Sequence, residues 1–94
     1  MTLPIIQTFE LTVSVSCDAR LAATVGELAA CAAGAAGCPG SAADAFARRV
    51  EASVREAFGA QGGGAAMLPV VMRWRAGRVD VRVGDHGLTL DGAE

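Results

Sequence analysis

The chain has no lysine and no tyrosine, only one histidine and one tryptophan, and no long run of either charge. Its eight basic residues are therefore all arginines, set against ten acidic ones for a net charge of −2. Binding along a nucleic-acid backbone needs a basic stripe that neutralises several phosphates. The one local concentration is Arg73, Arg75, Arg78 and Arg82, interrupted by Asp80, and it reads as the solvated face of a sheet. No nucleic-acid partner is expected. Missing lysine beside abundant Ala, Gly and Arg points to the codon usage of a GC-rich bacterial genome. Cys17, Cys31 and Cys38 are odd in number, lack C-x-x-C spacing and lie far from His86, so the pattern predicts no metal site and a reduced cytoplasm. No stretch reaches the roughly 18 uninterrupted apolar residues of a membrane span. The N-terminus also lacks the basic start and apolar run of a signal peptide. A cytoplasmic protein without membrane association is the expectation.

What is present is a hydrophobic fraction of 52%, carried by alanine, valine and leucine. Ninety-four residues make a single domain, 1–94, which buries roughly 60 to 65 per cent of the surface its unfolded chain exposes. Small side chains make that core thin, and burial against a partner subunit would add to it.

From Thr8 to Ser16 apolar and polar residues alternate, the pattern of a half-buried strand. Asp18 is placed to cap a helix in which Leu21, Val25, Leu28 and Ala32 share one stripe, and Gly34 and Gly37 mark its end. Ser41-Ala-Ala-Asp44 resembles a capping box opening a second helix, with Phe46, Val50, Ser53, Val54 and Ala57 on one face and an end near Gly59. Gln61-Gly62-Gly63-Gly64-Ala65-Ala66 lacks the Gly-Lys-Ser/Thr ending of a phosphate-binding loop and reads as a connector. Leu68 to Arg75 and Arg78 to Val83 form an antiparallel hairpin around Ala76-Gly77. An Asp85-His86-Gly87 turn then leads to a short last strand through Leu88 and Leu90. The order β-α-α-β-β(-β) predicts an α+β fold, a two-layer sandwich with two helices packed on one face of a mostly antiparallel sheet.

Four polar residues are candidates for a site: Glu51, Arg55, Asp85 and His86. Each has a plain structural explanation, Glu51 and Arg55 as an i, i+4 surface pair and Asp85 and His86 as turn residues. Their order along the chain is more specific. A helix carrying Glu51-Ala-Ser-Val-Arg55, a hairpin, then Val83-Gly-Asp85-His-Gly87 resembles the anti-sigma-factor serine kinases of the histidine-kinase-like (GHKL) ATPase class. Phe9 to Val15 followed by Asp18-Ala-Arg-Leu21 is similar to the family's first strand and helix, so the likeness spans residues 9–89.

The resemblance implies Glu51 at the position of the catalytic general base, and Asp85 with Gly87 at the turn that receives adenine. Arg55 stands where the family has its magnesium-binding Asn, and a guanidinium cannot ligate a cation but can touch a phosphate. Thr89 replaces the second glycine of the family's Asp-x-Gly-x-Gly, and the family's ATP lid is expected to be missing. Phosphoryl transfer rests on a positioned metal and charge stabilisation. The expectation is therefore a truncated, degenerate member without a cofactor, kept as a regulatory protein-interaction module in partner-switching or anti-sigma signalling. Its partner would be a sigma factor or an anti-sigma antagonist, and a homodimer or heteromer is expected. The alternative is a residual nucleotide-binding sensor or serine kinase that uses Glu51 and Asp85, and takes ATP without a well-formed magnesium site.

Overall fold

The computed structural model describes residues 8–16, 18–60 and 67–91. The connector at residues 61–66 and Cys17 lie outside them. Strand β1 (Phe9–Ser16) is followed by helices α1 (Ala19–Ala35) and α2 (Gly40–Ala60), then by strands β2 (Met67–Arg75), β3 (Arg78–Val83) and β4 (His86–Asp91). The strands form one antiparallel sheet in the order β1-β2-β3-β4, and the helices pack against one face of it. The predicted two-layer α+β fold is the one observed.

Local chemistry sets the helix ends. Asp18 is extended, and its carboxylate accepts a hydrogen bond at 3.0 Å from the Arg20 backbone N–H, which otherwise has no partner in the first turn. The Arg20 guanidinium adds a second contact at 2.9 Å, and its hydrogen bonds with the Arg20 backbone N–H hold the Asp18 carboxyl below its ordinary value of 3.8. A carboxyl that is more acidic when folded stabilises the protein above that ordinary value and loses the contribution as pH falls through its folded value. Asp18→Ala is therefore expected to lower the melting temperature near neutral pH. The deficit should shrink as pH falls below the ordinary carboxyl value, as read by thermal melts of both proteins across pH. The other end of α1 closes as a Schellman motif: Cys38 N–H bonds the Ala33 carbonyl, Gly37 N–H bonds that of Gly34, and Gly37 takes φ 88°.

Helix α2 begins earlier than the Ser41-x-x-Asp44 box implies. Its first bond runs from Ala43 N–H to the Pro39 carbonyl, so Pro39 occupies the capping position and Ser41 is already helical. The buried side of α1 also differs from the leucine stripe. Ala22, Val25, Ala29, Ala32 and Ala33 are buried while Leu21 and Leu28 are only half-buried. Small residues face inward because α2 approaches α1 closely: a Cβ on Gly26 would lie 2.9 Å from the Ala47 carbonyl oxygen.

The register sorts the sheet into two faces. Towards the helices lie the rows Phe9-Trp74-Val79-Leu90, Leu11-Met72-Val81-Leu88 and Val13-Val70-Val83-His86. Away from them lie Glu10-Arg73-Asp80-Thr89 and Thr12-Val71-Arg82-Gly87. Alternation of two residues per pleat makes both assignments at once. Helix α1 sits over β2 and β3 and α2 over β3 and β4, and the Gly77 N–H bonds the Ala36 carbonyl at 2.7 Å, tying the tip of the helix pair to the β2–β3 turn. Strand β1 extends beyond the helix layer. Leu11, Val13 and Val15 are accordingly half-buried, where Val70, Met72 and Val81 are fully buried.

Candidate functional site

The two candidates on α2 bond each other. Arg55 donates from Nη2 to Glu51 Oε2 at 2.9 Å and from Nε to the same oxygen at 3.2 Å, across one helical turn at the surface. The Glu51 backbone lies on the flank towards α1, its Cβ being 3.3 Å from where a Gly26 Cβ would stand. An exposed pair of this kind contributes about 0.3 to 0.5 kcal/mol. Glu51→Ala is expected to cost no more than about 0.5 kcal/mol, read from the urea midpoint.

Asp85 lies elsewhere. It occupies the second position of a two-residue turn between β3 and β4, whose first position is Gly84 at φ 58°. A positive φ at that first position is what a II′ hairpin turn requires, and glycine supplies it without strain. The turn is thus Gly84-Asp85, and His86 and Gly87 belong to β4, a correction to the Asp85-His86-Gly87 turn read from sequence. The hairpin tip reaches the C-terminal half of α2. Asp85 and His86 line a groove of about 460 Å³ with Ser53, Glu56, Ala57 and Pro69, and neither Glu51 nor Arg55 borders it.

Gly87 faces the other side of the sheet. Opposite Arg82, its missing side chain leaves a shallow depression of about 430 Å³ with Val71, Arg73, Asp80 and Thr89 around it. Charges there are largely matched. Arg73 Nε donates to Glu10 Oε1 at 2.9 Å, and Asp80 accepts from Arg78 Nε at 3.3 Å and from Thr89 Oγ1 at 2.9 Å. The four residues that the family likeness would gather into one nucleotide pocket are therefore distributed over three places: Glu51 with Arg55 on the helix surface, Asp85 at the hairpin tip, Gly87 on the outer face.

Among the described residues no group of three or more His, Cys, Asp or Glu is placed to hold a metal ion, and no helix is long and apolar enough to cross a membrane. Ser53 and Glu56 are neighbours of Asp85 that sequence reasoning did not assign to a site. Their helical spacing with Ala57 marks a shared flank of α2, but nothing in it says that a hairpin tip lies against that flank. No known protein family matches the chain, and no curated protein or solved structure is similar to it.

Proposed function

We propose that this chain is a non-catalytic protein-interaction module of a bacterial, cytoplasmic partner-switching or anti-sigma signalling pathway, with a sigma factor or anti-sigma antagonist as its partner. One observation carries the reading. Among the described residues the sheet has helices on one face only, and the other carries a charged ladder from Glu10 through Arg73 and Asp80 to Thr89. Antiparallel sheets tolerate one solvated face, and an unpaired edge strand is a template for pairing with another chain. The resemblance to anti-sigma serine kinases supports the pathway, and the Arg55 guanidinium on Glu51 supports the loss of chemistry, since the would-be base already holds a cation that cannot ligate phosphate-bound magnesium.

A second reading draws on the groove at Asp85. Its volume lies within the range of small-ligand sites, and Asp85, His86, Ser53 and Glu56 supply polar groups around it. A nucleotide sensor, or a serine kinase using Glu51 with Asp85, would seat the adenine ring in this groove, with Glu51 outside it. Calorimetric titration with ATP, ADP and GTP, with and without magnesium, separates the two. The interaction module gives no heat at about 1 mM nucleotide, whereas micromolar binding lost in Asp85→Ala overturns it.

A further inference from the structure

We infer that β1 is a self-recognition edge: two copies of this chain pair antiparallel through β1 about a two-fold axis at Thr12, joining two four-stranded sheets into one. The inference deepens the interaction reading by naming the partner at one surface as a second copy, and rests on that reading.

The main chain sets the first constraint. Gly84 N–H bonds the Pro69 carbonyl, so Pro69 faces β3, and with it Val71, Arg73 and Arg75 at two-residue intervals. Leu68, Val70, Met72 and Trp74 then face β1, where their partners are Val15, Val13, Leu11 and Phe9. Directly opposed residues that exchange both bonds alternate with residues that exchange none. Glu10, Thr12, Ser14 and Ser16 therefore turn their N–H and C=O groups away from β2, to the side on which no strand lies among the described residues. Between Phe9 and Ser16 there is no proline, no lysine, no break in the register and no charge on the helix-facing side, the usual devices by which an edge strand avoids pairing.

The side chains set the second. Pairing about Thr12 places Glu10 opposite the partner's Ser14 and Thr12 opposite the partner's Thr12, each through the outward main-chain groups, for about six inter-chain bonds. On the helix side the same register places Phe9 opposite the partner's Val15 and Leu11 opposite the partner's Val13. Among the described residues that row is the less covered part of the sheet: Phe9 is 50% exposed, and Leu11, Val13 and Val15 are half-buried. Polar meets polar, apolar meets apolar, and no two like charges face each other. Shifting the axis to Val13 preserves the alternation but moves Phe9 beyond the end of the partner's strand. The other edge is poorer. Strand β4 has six residues and carries Gly87 in its interior, which weakens pairing.

Sedimentation equilibrium of the full chain between about 1 and 100 µM tests this. Wild type is expected to sediment as a monomer–dimer system within that range. Ser14→Glu sets a carboxylate opposite the partner's Glu10, twice per dimer, and should raise the dissociation constant at least about tenfold, whereas Ser14→Lys sets opposite charges there and should lower it. Thr12→Pro removes an outward N–H without removing a bond to β2, and should leave a monomer with an unchanged circular dichroism spectrum. A chain that remains monomeric at about 100 µM, or a dimer indifferent to the sign of the charge at position 14, overturns the inference. Either failure leaves the nucleotide titration at Asp85 unaffected, so it is separable from failure of the interaction reading.

Discussion

Replacing Phe46 with alanine is expected to cost about 3 to 5 kcal/mol, the largest single loss available to this core. Phe46 is 1% exposed and is the largest fully buried side chain in a core in which alanine and valine predominate. The sheet contributes Leu68, Val70, Met72, Val79, Val81 and Val83 to the same core, and the largest fully buried side chain of α1 is Val25. Alanine neighbours have no longer rotamer with which to fill the space, so the cavity persists and the transfer and cavity contributions add. The ring also lies 5.7 Å from the Arg49 guanidinium, a contact that disappears with it. Domains of this size are stable by about 5 to 15 kcal/mol, so the variant should lie near the margin of folding. Urea denaturation measures it: the midpoint falls while the slope is unchanged. A loss under about 1 kcal/mol would mean that the ring does not fill the core as described.

The second large effect concerns Gly26. An exposed glycine within a helix gains up to about 1 kcal/mol when replaced by alanine. At Gly26 the sign reverses, because the new Cβ would approach the Ala47 carbonyl oxygen to 2.9 Å, and that oxygen belongs to backbone that cannot turn aside. Gly26→Val adds two more methyl groups to the same contact and is expected to destabilise by about 1 to 3 kcal/mol as α1 is forced from α2. Gly34, on the same helix with nothing within 4 Å of a Cβ, is the control, and Gly34→Ala should be neutral or stabilising. If both positions respond alike, the helices are not packed backbone to backbone.

Much of this architecture is legible in the chain itself. Strict alternation in Phe9 to Ser16 and in Arg78 to Val83 fixes the strands and their inner faces, and Asp18 and Gly37 sit where a cap and a left-handed stop are needed. Misreadings occur where tertiary contact overrides local preference. The leucines of α1 look like its buried stripe, yet the close approach at Gly26 turns the alanines inward and rotates Leu21 and Leu28 towards the flank. Asp85 before a residue and a glycine looks like the start of a turn, yet the two-residue register set by Val83 and His86 makes it the end of a Gly84-Asp85 turn. The candidate site was the least legible part. Spacing shows that Glu51 and Arg55 meet on one helix, but which face of a sheet Gly87 occupies depends on the register of β4. Whether Asp85 meets Glu51 or Glu56 depends on how far the hairpin tip reaches along α2.

Amide hydrogen exchange across the whole chain tests most directly whether this protein works through its sheet or through a nucleotide pocket. It would be recorded at about 1 and about 100 µM protein, each with and without excess ATP and magnesium. The account predicts concentration-dependent protection of the outward amides of Glu10, Thr12 and Ser14, and no change on adding ATP at Gly84 to Gly87 or along Glu51 to Arg55. Protection of those last two segments by ATP, with β1 unchanged at every protein concentration, would contradict it.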